Sequence, residues 1–333
     1  MILHPPIVAL LVGSLLVSFL LVLASWSAVR ILRHWDLASG SELQLDLERR
    51  TYLVSTVMGY ACAFQVVSLF LFIYTADDLA PLFVGAMCAA GTLYVNAYGY
   101  PTLILKAVGT VLAGAWLIVN HADNRGRDYP LIRQKYAFLL ALTPVVLGET
   151  GMQAAYFAGL KADVITSCCG SLFSAGASGV ASELAGLPVL PAKLAFYGVV
   201  AALLAAGIWF CRRASGGYIV AGLSLLAFVT SIVALISFIS LYIYELPTHH
   251  CPFCILQREY HFIGYPLYGL LFGGAITGLG LGLLSRWRRT PSLRSVLPPL
   301  TRRLAVSTMV CFGTFAAISV YVMLATTFRL EGY

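Results

Sequence analysis

Residues 248–265 read THHCPFCILQREYHFIGY and bring two cysteines, Cys251 and Cys254, to a three-residue spacing, with His249 and His250 just before them and Arg258 and His261 just after. Thiols at this spacing suit reversible disulfide chemistry, because they can pair with each other and exchange with an incoming thiol. If a helix starts here, both thiols fall in its first turn, where the helix dipole favours thiolate. Arg258 then lies one turn deeper on the Cys254 face and can stabilise a thiolate or an anionic acceptor. The same residues permit metal ligation, with His249, His250, Cys251 and Cys254 offering imidazole and thiolate to copper, zinc or mercury. No second ligand pair stands at zinc-finger spacing. A structural disulfide is the bland alternative. Attachment of a c-type haem is excluded, since Ile255 and not His follows Cys254.

Three other cysteines belong in the same discussion: Cys88 in AMCAAG, and the adjacent Cys168 and Cys169 in TSCCGS. Neighbouring cysteines pair only with unusual backbone geometry, because disulfides want Cα atoms about 4.4 to 6.8 Å apart. A bridge from either to a distant partner such as Cys88 is therefore the better expectation. Glu149, in TPVVLGETGMQAAYF, is the only carboxylate deep in an apolar run. Intramembrane acids are costly and usually functional. Two readings stand: a proton carrier beside quinone chemistry, or a protonated acid bonded to Gln65 or another helix.

The elements that must position these residues are membrane helices. Hydrophobic residues make up 60% of the 333 and charged ones 11%, with a mean hydropathy of +0.87. An ordinary soluble globule is excluded, and the lipid bilayer is the first partner. The runs are uniformly apolar over about twenty residues, enough to cross roughly 30 Å of hydrocarbon as helix, and lack the period-two alternation of a membrane barrel. The expected fold is an all-α polytopic bundle with eight spans near residues 7–29, 52–75, 100–119, 136–159, 194–211, 218–243, 262–285 and 304–327. The first run has no basic flank before it and reads as a true span rather than a secretory signal.

The net charge of +7 does not signal nucleic acid, because the basic residues sit between spans. Sixteen of the 21 Lys and Arg residues, Lys135 among them, fall in loops after odd-numbered spans. The positive-inside bias then puts those loops in the cytoplasm and both termini outside. Residues 80–98 are apolar but short, and a ninth span there would break the charge pattern, so this segment is expected to be re-entrant or on the outer surface. Cys88, Cys168, Cys169, Cys251 and Cys254 all fall on the outer side, where disulfides persist. The Gly-, Ala- and Ser-rich loop at 160–193 is expected to form a short lid helix. With no fixed-period repeat, residues 1–333 read as a single membrane domain.

The segment CPFCILQR, opening a span and preceded by LYIYELPTHH at the end of another, resembles the bacterial disulfide-bond-formation protein B family of membrane thiol-quinone oxidoreductases. The resemblance covers residues 232–278. It implies a four-helix thiol-redox bundle within 194–327, Cys251 and Cys254 as the redox pair, Cys254 facing quinone, and Arg258 as the quinone-side cation with Gln257 and His261 beside it. It also implies an extracytoplasmic dithiol protein as partner and the bacterial inner membrane as location. That family carries a second cysteine pair in a later outer loop, which this chain lacks, so Cys88, Cys168 and Cys169 are the candidates to replace it. TSCCG is also similar to the vicinal-cysteine stretch of mercury-transport membrane proteins. Outside redox catalysis, a metal carrier or a docking subunit bound to a membrane respiratory partner fits the same composition.

Overall fold

The structure is a computed structural model and describes residues 3–36, 39–126, 128–161, 164–166, 183 and 186–330. The fold is all-α, and among the described residues eight helices are long and apolar enough to cross a membrane. In chain order the helices are α1 (Pro5–His34), α2 (Glu42–Asp78), the short α3 (Ala89–Leu93), α4 (Gly99–Asp123), α5 (Ile132–Ala158), α6 (Val189–Arg213), α7 (Gly217–Tyr244), α8 (Gly264–Ser285) and α9 (Leu297–Ala325). All but α3 match the eight expected spans, usually with extra turns at one or both ends.

Those extra turns follow from the sequence. Pro5 and Pro6 open α1, where their missing N–H groups cost nothing. At 37 residues, α2 is roughly 55 Å long, well beyond a hydrocarbon core of about 30 Å. Its polar first turns lie outside the apolar part and are tied by an Asp46–Arg50 ion pair of 2.7 Å. In α7 the residues Leu235–Ile239 widen into a π turn, a local change that recurs at functional sites.

Residues 80–98 do not form a span. They make a single 3₁₀ turn at Ala80–Leu82 and then α3. Every residue of α3 is buried, so this part of the segment is packed inside protein and does not lie on the surface. The expected lid helix at 160–193 falls largely outside the described residues, and so do Cys168 and Cys169.

The sequence reads as one membrane domain; the chain packs as two compact units, each assembled from separated segments. Unit 1 comprises Met1–Ile73, Asn96–Leu160 and Leu283–Thr301. Its α1 and α5 are joined by a seam of small polar residues. Ser18 meets Thr150 at 2.8 Å, Ser25 meets Thr143 at 2.8 Å, and Gln153 donates to Ser14 at 3.1 Å and to the Leu10 carbonyl at 3.2 Å. In lipid, where apolar surface gives no net drive between helices, such bonds and close packing hold the pair. Unit 2 comprises Tyr74–Val95, Lys161–Gly282 and Arg302–Tyr333. It holds the end of α2, α3, α6, α7, most of α8 and most of α9, with Phe196 in its core packed edge-to-face against Phe315 and tilted against Phe238. The implied four-helix region 194–327 contributes to this unit together with residues 74–95.

Candidate thiol site

The CxxC segment belongs to unit 2, and its local structure differs from the expectation. Cys254–Leu256 is a 3₁₀ turn, Gln257 is extended, and Arg258–Tyr260 is a second 3₁₀ turn. The helix α8 begins only at Gly264. The thiols therefore do not sit in the first turn of a membrane helix, and Arg258 does not share a helical face with Cys254. Pro252 lacks an N–H and restricts the residue before it, while His261 and Phe262 take left-handed backbone at φ 53° and 56°. Together these keep the segment from winding into one helix. Gly264 lets α8 start hard against the turn, because a Cβ there would meet Leu256 at 2.8 Å and Ile255 at 2.9 Å.

The segment is held by tyrosines and by one histidine. Tyr244, the last residue of α7, donates its hydroxyl to the Cys251 carbonyl at 2.5 Å, and Tyr268 of α8 donates to the Pro252 carbonyl at 2.8 Å. The His250 ring nitrogen Nδ1 lies 2.9 Å from the Ile236 carbonyl, inside the π turn. A carbonyl can only accept, so Nδ1 carries the proton. The π turn and the histidine thus brace each other. His249 stacks edge-on against Tyr244 at 4.6 Å, and burial, with His250 adding, lowers its pKa so that the ring stays neutral.

The third member of the site comes from a different part of the sequence. Cys88 Sγ lies 3.5 Å from Cys251 Sγ, and the sulfurs of Cys88, Cys251 and Cys254 all fall within 4.8 Å of one another. All three are buried. The expectation that residues 80–98 do not cross the membrane put Cys88 on the same side as the CxxC pair, and this contact agrees with it. Gln257 supplies the clasp: its Nε2 donates to the Met87 carbonyl at 2.7 Å and to Asp77 Oδ1 at 3.3 Å, while the same Asp77 oxygen accepts from the Ala89 N–H at 3.0 Å. One side chain, three residues after Cys254, therefore fixes the backbone on both sides of Cys88.

The electrostatics single out one sulfur. Hydrogen bonds from the Cys254 thiol, and then from Cys88, hold Cys251 well below the ordinary thiol range although burial opposes them. The same bond to Cys251, with Cys88 and burial adding, pushes Cys254 far up. Between Cys251 and Cys254, thiolate is therefore favoured on Cys251. Burial, with Cys254 adding, raises Tyr260 as well, so its hydroxyl stays protonated.

A pocket of about 460 Å³ lies next to this segment, within the size range of small-ligand sites. Tyr242, Tyr244, Tyr260 and Tyr321 line it together with Glu245 and His261. Tyr244 is shared between this pocket and the cysteine segment, and it contacts Tyr260 at 4.6 Å between ring centres.

Of the residues implied for the cofactor, His261 lines this pocket. Arg258 is exposed and is not among the lining residues, and Gln257 is engaged with Asp77 and Met87. The metal grouping changes too: among the described residues the sulfurs of Cys251 and Cys254 converge with Cys88, whereas His249 and His250 turn to Tyr244 and Ile236.

Glu149 lies in unit 1. It is bonded to Gln65, as one sequence reading held, but its main partner is Lys106, whose Nζ sits 2.6 Å from Oε1 with both side chains fully buried. Lys106 also reaches Ser68 Oγ at 3.3 Å and the Phe72 ring at 5.6 Å. A second buried pair, Lys135 with Asp123 at 2.6 Å, corrects the placement of Lys135 among the loop charges, since it is the fourth residue of α5. Lys106 was visible as a lysine inside the apolar run 100–119, and that isolation was the available signal.

Comparison with family models, with curated proteins and with solved structures finds no match.

Proposed function

We propose that this chain is a membrane thiol-disulfide oxidoreductase that exchanges an electron pair between an extracytoplasmic dithiol and a quinone. The observation that carries the reading is the buried cysteine cluster, in a segment that shares Tyr244 with an aromatic pocket. A thiolate is the form that attacks a disulfide. Cys251 and Cys254 cycle between dithiol and disulfide. In the sum, a partner dithiol and quinone convert to partner disulfide and quinol, or the reverse, with two electrons and two protons passed in either case. The tyrosine-lined pocket is the seat for the quinone ring: it is aromatic, carries phenol donors for the quinone oxygens, and shares Tyr244 with the segment that holds the redox pair. By the charge bias of the loops, cluster and termini face the outside of a bacterial inner membrane.

The convergence of Cys88 also favours a second reading, a site for a thiophilic d¹⁰ cation. Zinc–sulfur bonds of about 2.3 Å in a tetrahedral site put sulfurs roughly 3.8 Å apart, close to the 3.5 Å between Cys88 and Cys251. Against it stands charge, since three thiolates would be buried while Arg258, the nearest cation in sequence, is exposed. Redox cycling needs only one thiolate at a time.

The test is turnover. Purified protein in nanodiscs with a reduced dithiol and a soluble quinone analogue is expected to change quinone absorbance, and Cys254→Ser to lower that rate on the order of a thousandfold or more. An unchanged rate in Cys254→Ser would remove the proposal. A metal stoichiometry near one per chain after anaerobic purification, lost in Cys88→Ser, would favour the second reading instead.

A further inference from the structure

We propose that Cys88 is a third redox thiol, which takes Cys251 over from Cys254 by disulfide exchange inside the cluster. This rests on the thiol-redox reading above and adds a residue and a step to it. Cys88 belongs to the chain between α2 and α4, far from the CxxC pair in sequence, yet its sulfur lies 3.5 Å from Cys251 Sγ and the three sulfurs lie within 4.8 Å of one another. The approach is built. The Cys88 backbone is extended at φ −159°, Gln257 holds the Met87 carbonyl, and Asp77 holds the Ala89 N–H. A buried cysteine that merely filled space would not need the Met87 carbonyl tied to Gln257 of the segment that carries the CxxC pair.

The step balances without an outside oxidant. Cys88 thiol attacks Cys251 of the Cys251–Cys254 disulfide; the Cys88–Cys251 bond forms, the Cys251–Cys254 bond breaks, and the proton leaving Cys88 ends on Cys254. Three thiols hold one disulfide at most, so the oxidised cluster always keeps one thiol. In one arrangement that thiol is Cys88. In the other it is Cys254, in the turn whose Cys251 carbonyl accepts from Tyr244 of the pocket wall. Exchange therefore determines which of Cys88 and Cys254 is the thiol while the cluster stays oxidised.

The experiment is a disulfide map of full-length protein in nanodiscs, oxidised with diamide, alkylated and read by mass spectrometry. Wild type is expected to give both Cys251–Cys254 and Cys88–Cys251 linkages with one thiol of the three alkylated. Cys254→Ser is expected to give Cys88–Cys251 alone, and Cys88→Ser to give Cys251–Cys254 alone. A Cys254→Ser protein that leaves Cys88 and Cys251 alkylated, or joins Cys88 to Cys168 or Cys169, overturns the exchange while the redox reading survives through the Cys251–Cys254 bond of Cys88→Ser. Absence of that bond in both wild type and Cys88→Ser overturns the redox reading itself. Retention of the helical circular dichroism signal confirms that each variant is folded.

Discussion

At Cys251 the chemistry comes down to which of three neighbouring sulfurs gives up its proton first. Burial alone would raise Cys251 and Cys254, yet Cys254 and Cys88 can donate to Cys251, and charge-assisted hydrogen bonds in a low dielectric outweigh the desolvation of a single thiolate. The sign of the pH dependence follows. Cys251 is depressed and Cys254 raised, so the reduced cluster is expected to show one thiolate by ultraviolet absorbance at pH values below the ordinary thiol pKa of about 8.5, and to resist losing a second proton above it. Cys254→Ala, by removing the larger donor, is expected to move the Cys251 titration upward more than Cys88→Ala does. A titration unmoved by either substitution would contradict the shared-proton picture. The other buried charges are a stability matter. Lys106 and Glu149 are fully buried and 2.6 Å apart, and removing one partner strands the other, at a cost of about 3 to 5 kcal/mol. Lys106→Met is accordingly expected to unfold at markedly lower denaturant, and Lys106→Met with Glu149→Leu to recover part of the loss. Strict additivity in that double-mutant cycle would mean the two side chains do not interact.

The turn that carries the cysteines is set by its neighbours more than by its own sequence. CPFC before an apolar run reads as a helix start, but α8 begins ten residues after Cys254, because the left-handed backbone at His261 and Phe262 interrupts any continuous helix. That interruption was not legible, since neither residue type asks for positive φ. The absence of a span at 80–98 was legible from charge bias alone, whereas the burial of α3 and the approach of Cys88 depend on long-range packing that no periodicity encodes. Gln257 ties these two segments together. Gln257→Ala leaves the Met87 carbonyl without this donor, at about 1 kcal/mol, and is expected to raise Cys88 alkylation and to cut the yield of the Cys88–Cys251 linkage in the Cys254→Ser background. Unaltered Cys88 reactivity would show that the clasp is not what positions it. Gly264→Val places side-chain atoms where Ile255 and Leu256 already sit and is expected to disturb the same turn.

For the whole molecule, composition and charge bias made the all-α membrane fold and its eight long helices readable, because lipid demands that backbone polar groups be satisfied within each span. The division into two units was not readable, since helix α2 and the α8–α9 region are shared between units and a hydropathy profile cannot reveal such splicing. The proposed sidedness is open to direct test. Single cysteines introduced at Ser39 and Ser292, in a background lacking the native thiols, are expected to be protected from a membrane-impermeant maleimide in intact cells, and one at Leu246 to react. Labelling with the opposite pattern would invert the proposed topology. In the proposed function the cysteine cluster stores an electron pair and passes it to quinone. The most direct measurement is a single turnover with no dithiol partner: anaerobically reduced protein mixed with excess quinone, followed by counting quinol and free thiols. One quinol formed and two thiols lost per chain, both from among Cys88, Cys251 and Cys254, is the expected result; no quinol, with all three thiols still open to alkylation, would overturn the proposed electron transfer.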